Sequence, residues 1–342
     1  MNQNGLTVVM YHYVRDLARS RYPAIKGRDV AEFRRQLDHF AQKYNVVTME
    51  QVFEAVDGGE PLPPDAMLLT FDDGYIDHYV AAFPLLHDRG WQGSFFPVAM
   101  SSRDGLLLDI NRVHFILAAQ PDTSLLVQAI EAFMREHQGA EGLVTFEEMW
   151  QRNAHASRLD TAEVIFIKRA LQRDLPRPLR TSLANLLFER FVSVDPGAFA
   201  NELYMNADCL RTMIRCGMYV GVHGHTHQWM TTLNEDERRV ELSESLSFMA
   251  QIGAPTDRWA MSWPLGSYDA VLQQAVQSKG CSVAFSTVVA RACLAKDHRL
   301  ALPRLGERGD RGSPGARVRR LPCRRATGRC RLRRNAGRGG QD

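Results

Sequence analysis

Long apolar runs are missing from this 342-residue chain: no stretch approaches the roughly 18 consecutive apolar residues of a membrane span, which excludes a membrane-embedded helical protein. Cysteine is sparse and scattered. Its six residues (Cys209, Cys216, Cys281, Cys293, Cys323 and Cys330) include no C-x-x-C pair and lack the density of a disulfide scaffold. The opening MNQNGLTVVMYHYV has no basic n-region, and Tyr11 and His12 break its short apolar run. A secretory leader is therefore not expected, and a cytoplasmic, reducing location fits. An apolar fraction of 45% with 24% charged residues excludes a largely disordered chain.

Charge is unevenly spread. The formal net charge is +3, yet residues 307–342 hold 12 arginines, no lysine and three acidic residues, which leaves residues 1–306 at −6. This tail has seven glycines and no aromatic side chain, so a nucleic-acid partner is not expected. Arginine outnumbers lysine 37 to 5 over the whole chain, the mark of a GC-rich gene. Out-of-frame reading of such a gene yields the Arg, Gly, Pro, Ala and Cys of the tail. Residues 306–342 are expected to be disordered or frameshifted, with the last elements of the fold replaced.

Short β-rich runs alternate with helical stripes in two blocks, 1–100 and 206–305. The runs are 6–11, 67–71, 94–98, 219–222, 259–263 and 281–286; the helical stretches include 30–44, behind Asp29 as N-cap, and about 76–89, 235–251 and 269–279. Strand alternating with helix predicts an α/β fold on a parallel sheet, open or closed into a barrel. Residues 101–205 break the rhythm with consecutive amphipathic helices around 110–119, 123–137, 160–172 and 178–192, and Asp195-Pro196 starts another. They read as an all-helical insertion, a cap or a subdomain.

Two clusters carry chemistry. Thr70-Phe71-Asp72-Asp73-Gly74-Tyr75 follows a buried strand, at the edge where parallel sheets place their active sites. An acidic turn alone would read the same way. The second cluster, His223-Gly224-His225-Thr226-His227, also follows a strand. If the chain turns helically there, His223 and His227 share a face and can ligate one ion. Asp73 completes a His₂-carboxylate set for a divalent metal, zinc by preference, with positions left for water and a substrate carbonyl. Asp72 beside it can take a proton, and His12, at the end of the first strand, is the candidate to protonate a leaving nitrogen. Tyr75, Trp229, Trp263 and Tyr268 flank these motifs; sugar rings stack on such side chains, and packing around the barrel mouth accounts for them equally.

TFDDG followed by H-x-x-x-H resembles the polysaccharide deacetylase family (NodB-like, carbohydrate esterase family four). Met10-Tyr11-His12, Trp263-Pro264-Leu265-Gly266-Ser267-Tyr268 and Leu302-Pro303-Arg304 are most similar to its circularly permuted branch, which includes poly-N-acetylglucosamine deacetylases. The resemblance covers residues 6–100 and 206–305. It implies a distorted, incomplete (β/α) barrel, with 101–205 as an insertion outside the common pattern. It further implies Asp72 as base, Asp73, His223 and His227 as metal ligands, His12 as acid and the Leu265 backbone N–H as oxyanion donor. The family's third motif usually reads R-x-P-Y-G; Ser262 stands here at the Arg position, and Arg304 is the candidate substitute for orienting Asp72. The implied function is metal-dependent removal of acetyl from N-acetylated sugars of a polysaccharide or glycan precursor. An O-acetyl esterase, a small-amide hydrolase on the same metal site and a carbohydrate-binding pseudoenzyme are the alternatives.

Overall fold

The computed structural model describes residues 5–157 and 160–306. Its strands are β1 (Gly5–Tyr11), β2 (Val14–Arg15), β3 (Arg28–Asp29), β4 (Asn45–Val46), β5 (Ala66–Asp73), β6 (Ser94–Pro97), β7 (Tyr219–Val220), β8 (Trp259–Ser262), β9 (Cys281–Phe285), β10 (Ala292–Cys293) and β11 (Leu305–Gly306). All eight residues of β5 are buried, as a continuous apolar run in a strand covered on both faces requires.

Parallel pairing carries the sheet around a ring. β1 lies beside β5 from Leu6↔Ala66 to Tyr11↔Phe71. The far end of β5 pairs with β6, and β6 with β7. Val222, just beyond β7, bridges Met261 of β8; β8 pairs with β9, and Phe285 of β9 bridges Leu302. β11 then returns to β1 at Val9↔Leu305. The seven parallel strands β1, β5, β6, β7, β8, β9 and β11 therefore form a distorted barrel, one strand short of a complete (β/α)₈ ring. Single bridges at two of its joints make the closure thin. The closing strand is β11, Leu305–Gly306, at the end of the described residues. The tail expectation for residues 307–342 lies outside the described residues.

Alternation sorts the strand residues into two sets. Leu6, Val8, Leu68, Phe96, Ala260, Val283, Phe285 and Leu302 come from around the ring and meet in one cluster inside it, with Val52 and Phe53 of the helix Met49–Val56 packed against them. Val9, Tyr11, Met67, Leu69 and Phe71 face outward onto Phe33 and Leu37. Burying each such side chain contributes about 1.5–3 kcal/mol.

The helices are α1 (Val30–Lys43), α2 (Met49–Val56), α3 (Phe83–His87), α4 (Ala99–Asp104), α5 (Asp109–Ala119), α6 (Thr123–Glu136), α7 (Phe146–Asn153), α8 (Ala162–Arg169), α9 (Arg177–Phe191), α10 (Pro196–Leu203), α11 (Ala207–Arg215), α12 (Glu235–Ile252) and α13 (Ala270–Ser278). Asp29 caps α1 by accepting from Ala31 N–H, and Asp195 caps α10. Between Ala99 and Leu203 the described residues form helices and no strand. α5, α6, α8, α9 and α10 share an apolar cluster that reaches back to Tyr13, Tyr75 and Val98. No described helix is long and apolar enough to cross a membrane.

Candidate metal centre

The two carboxylates reach one cleft because the backbone bends at the second of them. Asp72 continues the inward set of Leu68 and Thr70, so it tops the barrel interior. Asp73 belongs to the outward set, but it adopts left-handed φ of 72°, and Gly74 follows at 71°. A Cβ on Gly74 would meet Pro97 Cβ at 2.9 Å, so the turn requires glycine for space as well as for φ.

The histidine segment is a loop, not the helical turn the spacing suggested. His227 takes φ of 58° and Gly224 of 76°, and this reversal brings the two outer imidazoles together with ring centroids 4.9 Å apart. Glu241 of α12 holds the loop in shape. Its buried carboxylate accepts from His225 N–H at 2.7 Å, from Thr226 N–H at 3.0 Å and from the Thr226 hydroxyl.

Asp73, His223 and His227 offer three ligand atoms within 4.8 Å of one another, all buried. Asp73 Oδ1 lies 3.2 Å from His223 Nε2 and 3.3 Å from His227 Nε2, yet it has no hydrogen-bond partner. His223 Nδ1 sits 2.7 Å from Ser262 O; a carbonyl only accepts, so Nδ1 carries the proton. In the neutral ring the Nε2 lone pair therefore faces a carboxylate oxygen. Two acceptors aimed at one point repel unless a cation or a proton stands between them, and the donor set suits a divalent metal. Burial opposes charge on each group. His227 and His223 nevertheless hold Asp73 well below the usual carboxylate range, and Asp72 with Asp73 raises His223 above its ordinary value. At His227 burial prevails and takes the imidazole down to about 4.

Asp72 is gripped from the other side. Arg304, itself 1% exposed, donates from Nη1 to Asp72 Oδ1 at 3.0 Å and from Nη2 to Oδ2 at 2.7 Å. Its remaining N–H groups reach Thr70 Oγ1, Ser262 Oγ and Ser286 O, so all five donors are used. Ser262 Oγ, at the position where the family pattern has an arginine, also donates to Asp72 Oδ2 at 3.0 Å. Burial pushes the Asp72 carboxyl up, but Arg304 and then His223 outweigh it and bring it to about 2.

His12 follows β1 at the same rim. It is half-buried, its carbonyl accepts from His78 Nε2 at 2.6 Å, and its imidazole is near enough to help keep both carboxylates ionised. Leu265 takes φ of 56° inside the short 3₁₀ turn Pro264–Gly266, where early N–H groups have no partner within the turn. The aromatic expectation needs correcting for two residues. Tyr75 and Trp263 are 0% exposed: Tyr75 lies between Tyr13 and Tyr204, and Trp263 donates to Leu300 O. Neither offers a face to a sugar ring. Trp229 and Tyr268 are half-buried, with Tyr268 stacked on Trp263.

Sequence reasoning passed over Glu241, Asn111, Tyr13 and Tyr204. Glu241 had a signal: with Ser245, Phe248 and Ile252 it falls on the buried stripe of α12, where a carboxylate needs a partner. The other three meet only in the folded chain.

Fold and site together define a class: an α/β barrel with a His₂-carboxylate pocket and a second, arginine-held carboxylate at the C-terminal ends of its strands. Residues 197–284 match the polysaccharide deacetylase family model. Over 97 residues, 28% of the chain, it is 35% identical to the poly-beta-1,6-N-acetyl-D-glucosamine N-deacetylases of Escherichia coli strain K12 and of E. coli O157:H7. The chain spans only 14% of the length of those relatives. Among solved structures, the deacetylase PplD of Streptococcus pyogenes, in complex with acetate, superposes with a TM-score of 0.55 at 15% identity, covering 90% of this chain and 93% of that one. IcaB from Ammonifex degensii gives 0.50 at 17% identity, over 88% of this chain and 91% of its own. The BpsB deacetylase domain from Bordetella bronchiseptica gives 0.50 at 16%, over 89% and 96%. At those identities the likeness is one of fold. Over those stretches the chain is similar to the polysaccharide deacetylases, and its barrel is the fold of the superposed deacetylases.

Proposed function

We propose that this chain is a metal-dependent hydrolase that removes acetyl groups from N-acetylated sugars, with a glycan of the poly-N-acetylglucosamine type as its substrate. The observation that supports it most is Asp73 Oδ1, buried without a hydrogen-bond partner and flanked by two imidazole nitrogens. Asp73, His223 and His227 would hold the ion, with zinc the best match to their donors. A divalent cation there supplies Lewis-acid polarisation of a carbonyl oxygen and a lowered water pKa.

The chain's own groups do the rest. Asp72 stays ionised through the neutral range and accepts the proton of the attacking water, while Arg304 and Ser262 fix the direction of its oxygens. Arg304 lowers the basicity of Asp72, a cost offset by a carboxylate that does not wander. His12 hands a proton to the departing amine. The Leu265 N–H donates to the oxyanion, a role that depends on backbone direction and not on the side chain. Trp229 and Tyr268 remain for sugar stacking.

The test is zinc content by elemental analysis together with acetate release from N-acetylglucosamine oligomers, with Asp72→Asn alongside. Bound zinc, acetate release and its loss in a zinc-retaining Asp72→Asn variant are expected. Zinc binding without release that depends on Asp72 would favour a carbohydrate-binding pseudoenzyme instead.

A further inference from the structure

Behind Asp73 lies a buried polar chain that the proposed reaction does not use. Asp73 Oδ2 accepts from the Tyr75 hydroxyl at 2.6 Å. That hydroxyl has one proton, and the carboxylate takes it, so the 2.6 Å contact between Tyr75 and Asn111 must run from the amide: Nδ2 donates to Tyr75. The same Nδ2 gives its other proton to the Tyr13 hydroxyl at 2.8 Å. Oδ1 of Asn111 accepts from the Tyr204 hydroxyl, whose oxygen accepts from Leu108 N–H at 3.2 Å. Each link from Leu108 through Tyr204, Asn111 and Tyr75 thus donates toward Asp73. Asn111 and Tyr75 are both 0% exposed, so no water competes for these bonds, and aligned donors polarise one another.

The sources of these groups matter. Leu108 and Asn111 stand at the start of α5, and Tyr204 follows α10, so both ends of the helical segment close on the turn that carries Asp73. Backbone contacts repeat the grip: Met205 N–H donates to Gly74 O at 2.9 Å, and Tyr75 and Tyr204 form a β-bridge.

We propose that the helical segment backs the metal centre, with Asn111 as the positioning residue. Acting through Tyr75, it pins Asp73 Oδ2 and leaves Oδ1 turned toward His223 and His227. This rests on the metal reading given above and adds that the affinity for the ion is set in part from helix α5.

Zinc affinity of the full chain, measured by competition with a chromophoric chelator, tests the idea without reference to turnover. Tyr75→Phe removes one oxygen and should weaken zinc binding about 10- to 100-fold, the usual effect of losing a partner behind a ligand. Asn111→Leu should lose a comparable factor and shift the visible absorption of the cobalt(II) form. The double variant should bind no worse than the weaker single, because both act along one line. Asn153→Leu, at another buried amide of the same segment whose partners are Met149 O and Asp174 and not the Asp73 chain, should lower thermal stability yet keep zinc affinity within about twofold of the parent. Unchanged affinity in Asn111→Leu, losses that multiply in the double variant, or an equal loss in Asn153→Leu would overturn the proposal while the deacetylase reading stood. A parent protein that binds no zinc would overturn both.

Discussion

Replacing Arg304 by Met tests how the two carboxylates divide their work. The guanidinium saturates its five donors inside the barrel and supplies the main charge opposing Asp72. Bringing that carboxyl from 3.8 to about 2 corresponds to roughly 2 kcal/mol of preference for the charged form. Removing one partner of a buried pair costs more, about 3–5 kcal/mol, since the other charge stays in place unpaired. At about 2–4 °C per kcal/mol, melting should fall by roughly 6–20 °C near pH 7. The sign of the pH dependence follows. In the parent, Asp72 has a depressed value, so its contribution is full above the usual carboxylate range and fades as pH drops from about 4 toward 2. Without Arg304, burial dominates, the Asp72 carboxyl rises above its ordinary value, and protonation relieves the variant first. The melting gap between parent and variant should therefore narrow as pH falls from 7 to 4. The acid limb of kcat/KM should also move to higher pH, with a loss of roughly 10- to 100-fold at neutral pH. Scanning calorimetry from pH 4 to 8 and a pH–rate profile supply both readouts. A gap that stays constant with pH, or an acid limb that does not move, would refute the assignment of Arg304 as the group that keeps Asp72 ionised.

Three further outcomes are expected. Leu265→Gly should keep at least half of kcat and not lower the melting temperature, because glycine relieves a left-handed position worth about 1–2 kcal/mol and retains the N–H; a tenfold fall in kcat would assign the work to the side chain. Glu241→Leu leaves the Thr226 N–H and the His225 N–H without their acceptor, so zinc affinity by chelator competition should drop together with stability, whereas Glu244→Leu, which removes a half-buried partner of Arg103 and no bond to the histidine loop, should leave zinc affinity nearly unchanged. Chelation of the parent should lower its melting temperature in proportion to the logarithm of the free zinc removed, and Asp73→Asn should abolish that dependence.

What could be read from the sequence were the features that depend on near neighbours. β5 shows as an apolar run, Asp29 and Asp195 as caps, and the two motifs as strand-end clusters. α2 and α7 went unread although each opens on a capping box, Thr48 with Gln51 and Thr145 with Glu148, a signal that needs no tertiary knowledge. Spacing brought His223 and His227 together for the wrong reason: a helix was expected, and left-handed backbone at Gly224 and His227 does the job. Tyr75 and Trp263 read equally as sugar-stacking or packing residues because pattern alone does not say which aromatic fills a core. Arg304 lies 232 positions from Asp72, and only barrel closure makes them neighbours.

The ring strand that comes last in chain order, β11, is immediately preceded by the residue that arms the site. Arg304 touches Thr70 and Asp72 on β5, Ser262 on β8 and Ser286 just after β9. In chain order Asp72 therefore precedes its guanidinium partner by 232 residues, and the pair forms when β11 docks on β1. Up to that moment β1 keeps an unpaired edge over Val9 and Met10, the kind of surface that chaperones and proteases recognise. The strand that seals the barrel and the cation that pairs the buried Asp72 thus arrive together, on the consecutive residues Arg304 and Leu305.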